Sequence, residues 1–161
     1  MTLRMTNPFY LLPKAGQGIP VALEKAVLGI DIPRSTLAIA AMRASQINGG
    51  SACLWAEVQL AKKEGIADDK LATVAAWRDS PYFDDAERAA LAFAEAITGM
   101  AHSGGDMVSD ELWEELSRHY DERQRAALLL WLAGGTMFNI VNNVVREPAG
   151  QIWDNGVLEN S

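Results

Sequence analysis

The chain has 161 residues, a single cysteine and a net charge of −7, with 14 Lys and Arg set against 21 Asp and Glu. That length suits one domain burying roughly 68–70% of the surface its unfolded form exposes. The lone thiol excludes an intramolecular disulfide and fits a reducing, cytoplasmic setting, and scattered basic residues in an acidic chain exclude a nucleic-acid partner and disfavour an anionic membrane.

Residues 1–20 read as an N-terminal extension. Its apolar stretch Pro8-Phe9-Tyr10-Leu11-Leu12 is cut by Pro13 and is too short for a secretory leader. No run approaches the roughly 18 apolar residues of a membrane span. From residue 21 to 148 the only sustained period is helical, which predicts an all-α bundle of about six to seven helices.

A first helix is expected near Val21–Ile30, stopping around Gly29, and a second over about Ser35–Ile47. Asn48-Gly49-Gly50 breaks the second, and a third runs from Ser51 to about Glu64, ending at Gly65. Asp68 or Asp69 caps a fourth through about Trp77, closed by Ser80-Pro81. Asp84-x-x-Glu87 and Asp121-x-x-Gln124 have the spacing of capping boxes, opening helices over Ala86–Ala101 and from Glu122 to about Arg146, with a short helix from Ser109 to His119 between them. Gly134-Gly135 marks close helix packing. Residues 149–161 form a tail whose Ile152, Trp153, Val157 and Leu158 predict docking on the core or on a neighbouring subunit.

Three ordered segments carry a likeness to a known family: Arg43-Ala44-Ser45-Gln46-Ile47-Asn48-Gly49, the run from Ala75 to Leu91 containing Trp77-Arg78-Asp79-Ser80-Pro81, and Phe138-Asn139-Ile140-Val141-Asn142-Asn143-Val144-Val145-Arg146-Glu147-Pro148. The chain resembles the alkylhydroperoxidase AhpD-like and carboxymuconolactone decarboxylase family. The resemblance implies an all-α fold and a homo-oligomer, a trimer or hexamer. It also implies an active site built on a Cys-x-x-Cys pair, a histidine seven residues after the first cysteine, and an upstream glutamate. In this chain the matching positions are Gly50, Cys53, Glu57 and Ala38. Dithiol chemistry within one subunit is therefore absent.

A single thiol and a carboxylate remain on one helix face. Cys53 reads either as a one-cysteine peroxidatic thiol, restored by an external thiol reductant, or as a small buried hydrophobe. The start of its helix lowers the thiol pKa and an ionised Glu57 raises it, and the sequence leaves the winner open. Glu57 reads either as a solvated carboxylate or as a proton-handling group, in the second case the general base of a non-redox lyase or isomerase acting on an apolar carbonyl or carboxylate compound. A non-catalytic ligand-binding family member is the third reading. Gly50 and Ser51, beside the nucleophile position, and Asn139 and Asn142, on one face of the last helix, are candidate substrate-binding residues; Gly50 leaves room for a small molecule. The bland alternative for the asparagines is interhelical hydrogen bonding. His102 and His119 lack metal-ligand spacing, and no phosphate loop or dinucleotide fingerprint is visible, so neither metal nor cofactor is expected.

Overall fold

The computed structural model describes residues 2–150. Among them the architecture is eight α-helices and one 3-10 helix, with no strand. In order these are α1 (Pro8–Leu11), α2 (Pro13–Val27), α3 (Arg34–Asn48), α4 (Ser51–Lys63), α5 (Asp68–Thr73), the 3-10 helix Val74–Asp79, α6 (Asp85–Ser103), α7 (Asp110–His119) and α8 (Glu122–Val145). The all-α expectation holds. The apolar tail expected to dock lies in residues 151–161, outside the described residues.

The helix count exceeds six to seven because the N-terminal segment is itself helical. The helix expected near Val21–Ile30 is α2, which starts at Pro13 and ends at Val27, and α1 precedes it. Proline at a helix start gives up no hydrogen bond and brings a preset φ; Pro20 sits inside α2 and costs it one bond without ending it. A β-carbon on Gly16 would lie 2.0 Å from the Phe9 carbonyl oxygen, so glycine there lets α1 fold back onto α2.

Side-chain caps fix the later starts. Asp84 Oδ1 accepts from Glu87 N at 2.8 Å while Glu87 Oε2 accepts from Asp84 N at 3.0 Å, and Asp121 and Gln124 reproduce the arrangement for α8. Gly49, at φ 64°, ends α3 in the left-handed conformation and turns the chain into α4.

Helix α3 divides the interior. Leu37, Ala40 and Ala44 enter a core shared with α2, α6, α7 and α8, whereas Ala38, Ile39 and Met42 enter a second one with α4, Trp77, Phe83 and Leu91. Each fully buried large aliphatic side chain contributes about 1.5–3 kcal/mol. Helix α8 is, by length and composition, long and apolar enough to cross a membrane, with a mean hydropathy of 1.4 over its most apolar window. Here it packs against α2, α3, α4, α6 and α7. At Gly134 a β-carbon would come 2.4 Å from Leu23 Cδ1, so this glycine sets the close approach of α2 that the Gly-Gly pair predicts.

Candidate active site

The left-handed turn at Gly49 starts α4 beside the middle of α8, and this puts Cys53 in the first turn of α4 with Glu57 one turn further on. Both side chains line one cavity of about 640 Å³ enclosed by α1, α2, α4 and α8. Asn142 reaches the same cavity from α8, and its Nδ2 donates to Cys53 Sγ at 3.2 Å. Most of the remaining wall is apolar, from Phe9, Pro13, Pro20 and Phe138, with the Phe9 and Phe138 rings 5.0 Å apart between centroids.

Electrostatics set the protonation state. Cys53 is 8% exposed. Burial pushes its thiol up to about 11, against the lowering effect of the Asn142 hydrogen bond and with a further push from Glu57. The competition at the helix start is therefore won by burial, and the resting group is a neutral thiol. Glu57 keeps part of its surface, but its Oε2 is buried and has no hydrogen-bond partner. Burial moves its carboxyl up to about 8, into the range where one group both takes and gives a proton near neutral pH.

The other sequence candidates lie differently. Gly50 and Ser51 are absent from the cavity wall, and Ser51 is exposed. The room expected at Gly50 is already filled: an ideal β-carbon there would sit 1.6 Å from Asn139 Oδ1. Asn139 is buried behind the wall, its Nδ2 donating to Ser45 Oγ at 3.1 Å and to the Gly135 carbonyl at 2.9 Å. Asn143 Nδ2 donates to the Asn48 carbonyl at 3.0 Å. Interhelical hydrogen bonding thus accounts for Asn139 and Asn143, and of the three asparagines only Asn142 reaches the cavity. Ala38 is fully buried and supplies no proton group. His102 pairs with Asn48 and His119 with Glu115, both away from the cavity. Among the described residues no group of three or more His, Cys, Asp and Glu is placed to hold a metal ion.

Among the cavity residues that sequence reasoning missed are Asn7, Phe9 and Phe138. For Phe9 the signal was the apolar stretch from Pro8 to Leu12, whereas Asn7 and Phe138 lie outside that stretch. Asn7 is buried, and its Nδ2 donates to Asn142 Oδ1 at 2.8 Å and to Glu147 Oε2 at 3.1 Å.

Comparison with known proteins supports the likeness read from the segments around this site. The carboxymuconolactone decarboxylase family model matches residues 18–96. YdfG of Bacillus subtilis, itself uncharacterized, is 30% identical over 122 residues, covering 76% of this chain and 81% of its own. The uncharacterized YnjA of Escherichia coli is 42% identical over 92 residues, which are 57% of this chain and 48% of YnjA. In three dimensions the chain is similar to an Agrobacterium tumefaciens protein of unknown function, provisionally assigned as the antioxidant-defence protein AhpD, with a TM-score of 0.81, 24% identity, and coverage of 92% of this chain and 98% of that one. It is also similar to the debrominase Bmp8, in a variant bound to 2,3,4-tribromopyrrole, with a TM-score of 0.71, 24% identity, and coverage of 92% and 80%. With its fold and an extended relative in agreement, the chain belongs to the carboxymuconolactone decarboxylase family and has the AhpD-like all-α fold.

Proposed function

We propose that this protein is a one-cysteine thiol peroxidase for a small apolar hydroperoxide, with Cys53 as nucleophile and Glu57 as the group that carries its proton. The observation that carries this reading is the placement of a lone thiol and a near-neutral carboxyl, four residues apart on α4, on the wall of one apolar cavity. With the thiol near 11, thiolate at pH 7 amounts to roughly one part in ten thousand, so attack requires a base at hand. Ionised Glu57 takes the thiol proton as sulfur attacks the terminal peroxide oxygen, the O–O bond breaks, and Glu57 returns the proton to the departing alkoxide. The balance is thiol plus ROOH giving sulfenic acid plus ROH. An external thiol then condenses with the sulfenic acid, releasing water, and a second thiol reduces the mixed disulfide.

The wall favours an organic hydroperoxide over hydrogen peroxide, because Phe9, Phe138, Pro13 and Pro20 present carbon and not hydrogen-bonding groups. Bmp8, among the fold relatives, binds a small halogenated heteroaromatic compound, a molecule whose apolarity suits such a wall. Treating the purified protein with cumene hydroperoxide and a sulfenic-acid trap tests the reading. A covalent adduct on Cys53 is expected, and its absence under excess oxidant sinks the proposal.

A second reading is favoured by the unpartnered Oε2 of Glu57. There the carboxylate abstracts a proton beside a carbonyl or carboxylate of an apolar substrate, and the thiol is a bystander. Turnover that survives Cys53→Ala and is lost in Glu57→Gln would select it.

The homo-oligomer expected from the family is likewise proposed for this chain. Support comes from the exposed apolar side chains Leu129, Leu130, Ile140 and Val144 of α8, a face of the kind subunits cover. Sedimentation of the purified protein tests this, and a monomer at micromolar concentration would exclude it.

A further inference from the structure

The amide of Asn7 has an orientation set by a partner of fixed polarity. Its Oδ1 accepts from the backbone N–H of Phe9 at 3.1 Å, a group that only donates, so its Nδ2 must face the other way. There it meets Asn142 Oδ1 at 2.8 Å and Glu147 Oε2 at 3.1 Å. A donor arriving from Asn7 requires an oxygen on the near side of the Asn142 amide. The far side is then the NH2, and it points at Cys53 Sγ from 3.2 Å. Asn7, Asn142 and Glu147 are all buried, which strengthens these bonds. Glu147 is brought into the chain of contacts by the left-handed backbone of Arg146, at φ 62°, where its own N–H donates to the Asn142 carbonyl at 2.9 Å.

We propose that Asn7 and Glu147 are positioning residues that act through Asn142, locking its amide so that an N–H, and not a carbonyl oxygen, meets the sulfur of Cys53. This rests on the reading of Cys53 as the reacting group. A locked N–H stabilises negative charge on sulfur as the thiol loses its proton, whereas a flipped amide would set an oxygen lone pair against the same charge. The device is spread over three distant parts of the chain: Asn7 is 135 residues from Asn142, and Asn142 is 89 from Cys53. It belongs to the fold and to no local motif. The charged group whose field reaches the sulfur is Glu57, and it acts in the opposite direction.

Because the protein holds one cysteine, alkylation by iodoacetamide reports Cys53 alone. The pH–rate profile of that reaction is measured on the full chain for wild type, Asn142→Leu and Asn7→Ala, with the fold of each checked by circular dichroism. Both variants are expected to move the midpoint upward, Asn142→Leu by about one unit, which slows alkylation about tenfold at any pH below the midpoint. The informative case is Asn7→Ala, whose side chain does not touch the sulfur. A folded Asn7→Ala with the wild-type profile overturns the inference. Should Asn7→Ala not fold, Glu147→Leu and Glu147→Gln carry the same test: the first is expected to shift the midpoint and the second, which keeps an acceptor oxygen for Asn7, to leave it in place, and any other pattern overturns the proposal. Alkylation needs no peroxide. A Cys53 whose profile depends on Asn7 but which never forms a sulfenic acid would therefore keep this inference and remove the peroxidase reading.

Discussion

Asn139 and Gly50 occupy one space: the Asn139 amide oxygen lies 1.6 Å from where a β-carbon on Gly50 would stand. The first cysteine position of the family's dithiol is thus closed by a side chain from α8 and not left open for a ligand. The amide is held in place by Ser45 and by the Gly135 carbonyl.

Gly50→Ala should therefore destabilise the protein by about 1–3 kcal/mol through overpacking, although its φ of −83° is ordinary for an L-residue. Combining it with Asn139→Gly should cost less than the sum of the two single changes, because the collision is gone in the double variant. Urea unfolding of the four proteins measures the coupling. Additive effects would show that the clash relaxes elsewhere.

The raised pKa of Glu57 gives stability a definite slope. Its folded value of about 8 exceeds the ordinary 4.5, so the native state holds a proton that the unfolded state releases. The resulting stabilisation is fully present below about 4.5 and is lost as pH rises through about 8, at up to about 1.4 kcal/mol per pH unit. Denaturation midpoints across this range should fall for wild type and stay flatter for Glu57→Gln, which carries no such proton. Parallel curves would place the carboxyl in water.

Glu95 gives the opposite slope in acid. Burial alone would raise its pKa, but hydrogen bonds from Arg78, Trp77 and Arg43, with the Arg43 charge, hold it at about 2. Its side chain keeps 18% exposure, and Arg43 Nε lies 2.7 Å from Oε1. This contribution is present above about 4.5 and lost as pH falls towards about 2. Glu95→Gln should lower stability at pH 7 by about 1–3 kcal/mol and weaken the acid transition, as read by circular dichroism melts. It should leave Cys53 oxidation unchanged, since this cluster lies away from the cavity.

Gly16→Ala should act on the cavity through the backbone. The new methyl would press on the Phe9 carbonyl at 2.0 Å and push α1, with Asn7 and Phe9, away from α8. The expected result is a higher KM for an organic hydroperoxide, together with slower Cys53 alkylation as Asn7 leaves Asn142. An unchanged KM would mean that α1 is not part of the substrate wall.

Much of the bundle was legible because its signals are local. Asp84-x-x-Glu87, Asp121-x-x-Gln124 and Gly49 announce helix ends within four residues, and α3, α4, α6, α7 and α8 fall close to the expected bounds. The N-terminal helices were hidden by Pro8, Pro13 and Pro20, whose meaning depends on whether proline opens a helix or interrupts it. Within the site, Cys53 and Glu57 were readable as one helix face. The glycine at position 50 suggested vacant room, which only the packing of α8 against α4 could contradict, and the role of Asn7 depends on contacts over more than a hundred residues.

The most direct test is the pH dependence of Cys53 oxidation by cumene hydroperoxide, followed by mass spectrometry of the trapped sulfenic acid in wild type and Glu57→Gln. The rate should climb with Glu57 ionisation to a plateau above pH of about 8, and Glu57→Gln should lose that inflection and react about a hundredfold more slowly at pH 7.5. A wild type that forms no adduct, or a Glu57→Gln variant that oxidises as fast as wild type with the same profile, would contradict the account.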